Sequence, residues 1–192
     1  MKNIILIIFL LIELLWSQNS AYKNFQSYMS IDGGRILNIH FYQEQSGSYF
    51  ESDGLLYYFS DIHYAFDMKD QRITYNNDMI TTINRTTKQI IYDMNIENDI
   101  SVLDILSGKE DGLEIGEVIL EKNGYKIPFL LSGWDIKGTL WVAPRTGEPK
   151  KIMLDSYNDM QIIIKINSSE LGHKKQIPYI DISEYEKIDL RE

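Results

Sequence analysis

Gly54-Leu-Leu-Tyr-Tyr-Phe-Ser-Asp-Ile-His-Tyr-Ala-Phe-Asp-Met68, then Gln71 to Tyr75, Asn76-Asn77-Asp78 and Met79 to Met94, is the stretch on which the fold turns. From His63 the alternation is regular. Tyr64, Phe66 and Met68 fall on one side, and His63, Ala65 and Asp67 on the other, as in a strand whose side chains project with a period of two. Ile73 and Tyr75 continue the pattern, and Asn76-Asn77-Asp78 supplies side chains that tolerate positive φ and form turns. Met79, Thr81 and Ile83 share a face of the strand that follows. The stretch therefore predicts short successive strands with one apolar and one polar face, and such a sheet must cover something apolar. The functional question is whether it covers core or cargo.

Upstream, the spacing of Tyr22, Phe25 and Met29 predicts a helix over Asn19 to Met29, capped by Asn19 or Ser20 and stopped at Asp32-Gly33-Gly34. Ile36 to Phe41 alternates again, Gln43 to Ser48 is a polar turn, and Ser52-Asp53-Gly54 is a bulge or turn within the run from Tyr49 to Phe59. Downstream, Asp99, Leu103, Leu106 and Gly108 mark a short amphipathic helix, with a capping residue before it and a glycine after it. Lys122-Asn123-Gly124 between strand-like runs is a strong hairpin signal. Pro144 to Pro149 and Tyr157-Asn158-Asp159 mark two more hairpins, and the tail containing Ile177-Pro178 is expected to close with an edge segment.

The chain has 192 residues, 44% hydrophobic and 12% aromatic, enough for one domain with a substantial core. A net charge of −9 argues against a nucleic-acid partner, which would require a basic stripe. The absence of cysteine removes disulfides, thiolate metal sites and cysteine catalysis together.

Lys2 followed by an apolar run to Ile12, then Glu13, Leu14, Leu15, Trp16 and a polar shift at Ser17-Gln18, describes a secretory signal peptide over residues 1–18. The run is short of the about 20 apolar residues that span a bilayer. The expectation is an exported, periplasmic protein whose residues 19–192 form a single domain.

Catalytic signals are weak. The three histidines, His40, His63 and His173, have no close metal spacing, and there is neither a nucleophile elbow nor a glycine-rich phosphate loop. Carboxylates such as Asp53, Asp67 and Asp104 are plentiful, so a small exported hydrolase is the one enzymatic alternative. No enzyme, cofactor or metal is expected.

The order of elements resembles the LolA family of periplasmic lipoprotein carriers over nearly all of the mature chain. The resemblance rests on Phe41-Tyr42-Gln43, Gly54-Leu55-Leu56-Tyr57, Tyr64-Ala65-Phe66, Asn77-Asp78 and Lys88-Gln89, and on Leu103-Asp104-Ile105-Leu106-Ser107-Gly108 as a lid helix. Its most specific part is the run from Thr139 through Trp141 and Pro144-Arg145-Thr146-Gly147-Glu148-Pro149. It implies a mainly β fold with short helices: an incomplete, strongly curved antiparallel β-barrel with a helical lid over an apolar cavity. It also implies a monomer that takes the acyl chains of outer-membrane lipoproteins from an inner-membrane ABC-type release complex to an outer-membrane acceptor. Candidate lining residues are Tyr57, Phe59, Tyr64, Phe66, Met68, Ile73, Tyr75, Met79, Ile83, Leu103, Leu106 and Trp141. The family's basic residue and proline before the aromatic strand are replaced by Ser60 and Asp61. That departure leaves open a LolA-like sensor or binding module that does not shuttle.

Overall fold

The computed structural model describes residues 20–60, 62–95, 105–106, 108, 112–131, 136–156, 160–172 and 176–191. The expected signal peptide and the start of the expected second helix, Leu103 included, lie outside these. Residues 20–29 form a helix (α1), and residues 105 and 106 are helical. The strands are β1 (Arg35–Gln45), β2 (Ser48–Ser60), β3 (His63–Met68), β4 (Gln71–Asn76), β5 (Met79–Asn84) and β6 (Gln89–Met94). They continue as β7 (Leu113–Ile115), β8 (Ile119–Glu121), β9 (Gly124–Leu131), β10 (Ile136–Val142), β11 (Pro149–Ser156), β12 (Met160–Leu171) and β13 (Glu186–Asp189).

All thirteen belong to one open, curled sheet in the order β13-β6-β5-β4-β3-β2-β1-β12-β11-β10-β9-β7, with β8 also on β9. Two antiparallel meanders, β1 to β6 and β9 to β12, are fused where β1 pairs with β12, Arg35 opposite Leu171 and Gln45 opposite Met160. The turns set the register. Ser46 and Gly47 close the β1–β2 hairpin at φ of 51° and 79°, and Asn77 and Asp78 close β4–β5 at 48° and 66°. These are the paired positive-φ turns whose twist matches that of the strands they join. Ser52-Asp53-Gly54 is neither bulge nor turn: β2 runs through it in register, His40 opposite Asp53 and Ile39 opposite Gly54.

The inner face of the sheet carries the core. Ala21, Tyr22, Phe25 and Met29 of α1 are buried with Leu37, Ile39, Leu56, Phe66, Leu140 and Ile164, and Ile105 and Leu106 join the same cluster. The stripe read from the sequence thus buries against the sheet, as an amphipathic helix must. Gly147 permits the late hairpin to touch α1: its φ is +72°, and a Cβ there would meet the Asn24 carbonyl at 2.3 Å. Arg35 fastens the other end. Its Nε donates to the Tyr28 carbonyl at 2.6 Å, and its guanidinium lies 3.4 Å above the Tyr28 ring. The Tyr28 hydroxyl in turn donates to Ser169 on β12 at 2.8 Å.

The outer face has its own small apolar cluster of Ile36, Tyr57 and Ala65, flanked by Leu55, Phe59 and Ile177. Ile177 belongs to the C-terminal segment, which crosses this face as a strap. The segment then adds β13 to the edge of β6, with Glu186 opposite Gln89. That pairing is parallel, so the expected edge segment closes the sheet with the opposite polarity to the other pairings.

Candidate functional site

The inner face is not filled along its whole length. Around β3 and β4, side chains of alternating positions surround a cavity of about 500 Å³. Tyr64 and Tyr75 face each other across the strand pair and stack, ring centroids 4.9 Å apart at 13°. Phe66 stands opposite Ile73, with Met68 and Gln71 beside them at the strand ends. Ile80 follows Tyr75 onto the same wall because the two-residue turn places them opposite one another. The second wall is Phe41, Gln43 and Phe50 from the β1–β2 hairpin, and Asn95 lies beyond β6. Phe41 and Phe50 meet at 6.0 Å between centroids. Gly54 lets β2 lie close against Phe66 of the lining: a Cβ there would come within 2.6 Å of the Phe66 ring and 2.7 Å of the Asp67 carbonyl.

The polarity of this lining is specific. Among the described lining residues none is charged, and the polar ones are the amides of Gln43, Gln71 and Asn95 and the hydroxyls of Tyr64 and Tyr75. The Tyr75 hydroxyl donates to Asp78 at 2.8 Å, outside the cavity wall. An uncharged, largely aromatic pocket with a few hydrogen-bonding groups binds apolar matter and orients it by one polar end.

The ionic groups lie on the opposite face. Asp67 accepts from Arg72 Nη2 and Arg85 Nη2, both at 2.6 Å. Burial pushes the Asp67 carboxyl up, and the two arginines beside it outweigh that, holding it below its ordinary value. Arg72 is buried and also donates from Nη1 to the Pro178 carbonyl at 2.6 Å, clamping the strap. His40 stands 3.1 Å from Glu51 and 3.0 Å from Asp53. Among the described residues no group of three His, Asp or Glu side chains is placed to hold a metal ion.

Of the residues singled out from sequence, Tyr64, Phe66, Met68, Ile73 and Tyr75 line the cavity together. Leu106 is buried in the core cluster and is not among the lining residues. Tyr57 and Phe59 are corrected to the outer face, because the register sets Tyr58 opposite Tyr64 and Leu56 opposite Phe66. Met79 and Ile83 are corrected likewise, standing opposite Asn76 and Arg72. Trp141 also faces outward, between Lys126 and Lys151, whose ammonium groups lie 5.8 and 4.7 Å from its ring centroid. For Met79 and Ile83 the period of two was right and the phase relative to the neighbouring strand was wrong, which turns a side chain to the other face. Ser60 ends β2 opposite His63, and Asp61 lies outside the described residues. Phe41, Gln43, Phe50, Gln71, Ile80 and Asn95 were missed. Ile80 was within reach, since a two-residue turn at Asn77-Asp78 fixes its partner as Tyr75.

No family model and no curated protein matches the sequence. Solved structures do. A conserved protein of Thermus thermophilus is similar at a TM-score of 0.55 and 7% identity, over 89% of this chain and 98% of that one. A LolA superfamily protein from Nitrosomonas europaea matches at 0.47 and 8%, over 84% and 94%. A putative outer membrane lipoprotein-sorting protein domain from Vibrio parahaemolyticus matches at 0.42 and 7%, over 86% and 97%. At such identities the likeness is one of fold alone.

Proposed function

We propose that this chain is a non-enzymatic binding protein that shelters acyl chains in the cavity of its inner face. The reading extends to a periplasmic carrier that receives lipoprotein acyl chains from an inner-membrane release complex and passes them to an outer-membrane acceptor. The observation that carries it is the aromatic cavity lined without a charged side chain among the described residues. Removing an acyl chain from water is worth roughly 0.8 kcal/mol per methylene, so a shielded site is what transit through an aqueous compartment demands. Transfer in such a carrier needs no cofactor, only a partner that binds cargo or carrier better.

A second reading, a binding module that senses a lipid or a partner without shuttling, is favoured by Ser60 at the end of β2, where the resemblance expects a basic residue. The deciding experiment is native mass spectrometry with lipid extraction on protein isolated gently from its own host, beside a lipoprotein-release assay with spheroplasts. Stoichiometric acyl cargo with release supports the carrier. Cargo without release supports the module, and an empty protein refutes the acyl-binding form of both.

A further inference from the structure

Resting on the acyl-binding reading, we infer that the cavity takes a single long acyl chain per molecule, joined to its carrier group through an uncharged ester or amide linkage. The first half of this follows from volume. At roughly 30 Å³ for a methylene, the share of a liquid water, the cavity's approximately 500 Å³ holds about 17 carbons. Three such chains need roughly 1,500 Å³ at the same share. The space inside the walls reaches only about 1160 Å³ even with the open mouth counted. Within the cavity proper a second chain of that length finds no room, so a ligand with several chains leaves the further ones at the open mouth.

The second half follows from the polar groups. A carboxylate or phosphate at the chain's head calls for a cation, and the described lining holds none; Arg35, Arg72 and Arg85 are engaged elsewhere. Arg72 and Arg85 hold Asp67 and backbone carbonyls on the outer face, and Arg35 lies over Tyr28. Gln43, Gln71 and Asn95 are instead amides, each able to donate and to accept. Asn95 and Gln71 make no side-chain hydrogen bond to described residues, and Gln43 makes only a long contact of 3.9 Å to the Met160 sulfur. A carbonyl of an ester or amide linkage matches such donors without bringing a charge among described lining residues that carry none.

The test uses the mature protein and defined probes: saturated monoacylglycerols of increasing chain length, palmitate above neutral pH, and dipalmitoylglycerol. Stoichiometry is read by native mass spectrometry and affinity by displacement of a fluorescent fatty-acyl probe. One monoacylglycerol per molecule is expected. Affinity should rise about fourfold per methylene, the equivalent of burial in the cavity, and level off near 17 carbons as the volume runs out. Palmitate should bind at least tenfold more weakly than monopalmitoylglycerol, and replacing both amides (Q43L with Q71L) should weaken monopalmitoylglycerol binding severalfold while chain-length dependence persists. Two or more chains per molecule, or equal affinity for palmitate, overturns the inference and leaves acyl binding standing. Failure to bind any probe at any length removes the acyl-binding reading itself.

Discussion

Replacing Asp67 by asparagine tests the outer-face ion cluster and the strap that it secures. The substitution keeps the shape of the side chain and removes its charge, leaving Arg72, whose side chain is 6% exposed, without a counter-ion. Breaking a buried pair from one side costs about 3–5 kcal/mol. Asp67 is 15% exposed and Arg85 27%, so water and the surviving hydrogen bonds to Pro178 and Met68 hold the loss near the lower end. For a domain of this size about 3 kcal/mol corresponds to a fall in Tm of roughly 6–12 °C, out of a total stability of about 5–15 kcal/mol. The pH dependence gives the sign. Asp67 has a folded pKa below its ordinary 3.8, so its contribution is complete above that value and is lost as pH falls through the lower, folded one. Thermal unfolding followed by circular dichroism should therefore show a large gap between parent and variant at neutral pH. The gap should close in strong acid, where the parent carboxyl is also neutral. A variant within about 2 °C of the parent at neutral pH, or a gap that survives acid unchanged, refutes the reasoning.

Ile80→Glu places a charge in the half-buried wall of the cavity. Acyl-probe affinity should fall at least tenfold, since seating a chain then dehydrates a carboxylate, with little change in Tm. Trp141→Ala, on the outer face, should leave acyl binding unaltered while costing about 1–2 kcal/mol in urea unfolding; lost binding would move Trp141 back to the site. Gly54→Ala forces a methyl against the Phe66 ring and the Asp67 carbonyl. It should cost about 1–3 kcal/mol and shift the preferred probe to shorter chains. Deleting residues 176–192 strips β13 from β6 and Ile177 from Tyr57. Unpaired strand edges recruit one another, so size-exclusion chromatography should show association where the full chain elutes as a single small species.

What was legible in the sequence was periodicity, and what was not was phase. The alternation of Tyr64, Phe66 and Met68 announces a strand and its apolar side without help from the rest of the chain. Whether Tyr57 or Tyr58 joins that side depends on where β2 ends and how it pairs, and Tyr-Tyr-Phe at 57–59 is apolar on both faces. The reason is tertiary: the strap brings Ile177 over the outer face, so β2 buries both sides. Asn123-Gly124 located a hairpin but not its geometry, for the loop is Lys122-Asn123 and Gly124 already pairs with Glu121. Gln71 shares the face of Ile73 and Tyr75 but is polar, so the apolar pattern passes over it, and Asn95, beyond β6, carries no periodic signal.

The seam between β1 and β12 has a consequence for how the chain reaches this shape. These strands, eleven and twelve residues long, are the middle of the sheet and yet come from opposite ends of the domain. Each meander can form from local pairings, but either one alone presents a long unsatisfied strand as its border. The two borders find each other only after a loop of most of the chain has closed, a separation that places folding in the slow, milliseconds-to-seconds regime of non-local β topologies. Until that closure the half-made protein displays its longest adhesive edges together with an uncovered aromatic wall. It is then most dependent on being held apart from its neighbours, before it is able to hold anything itself.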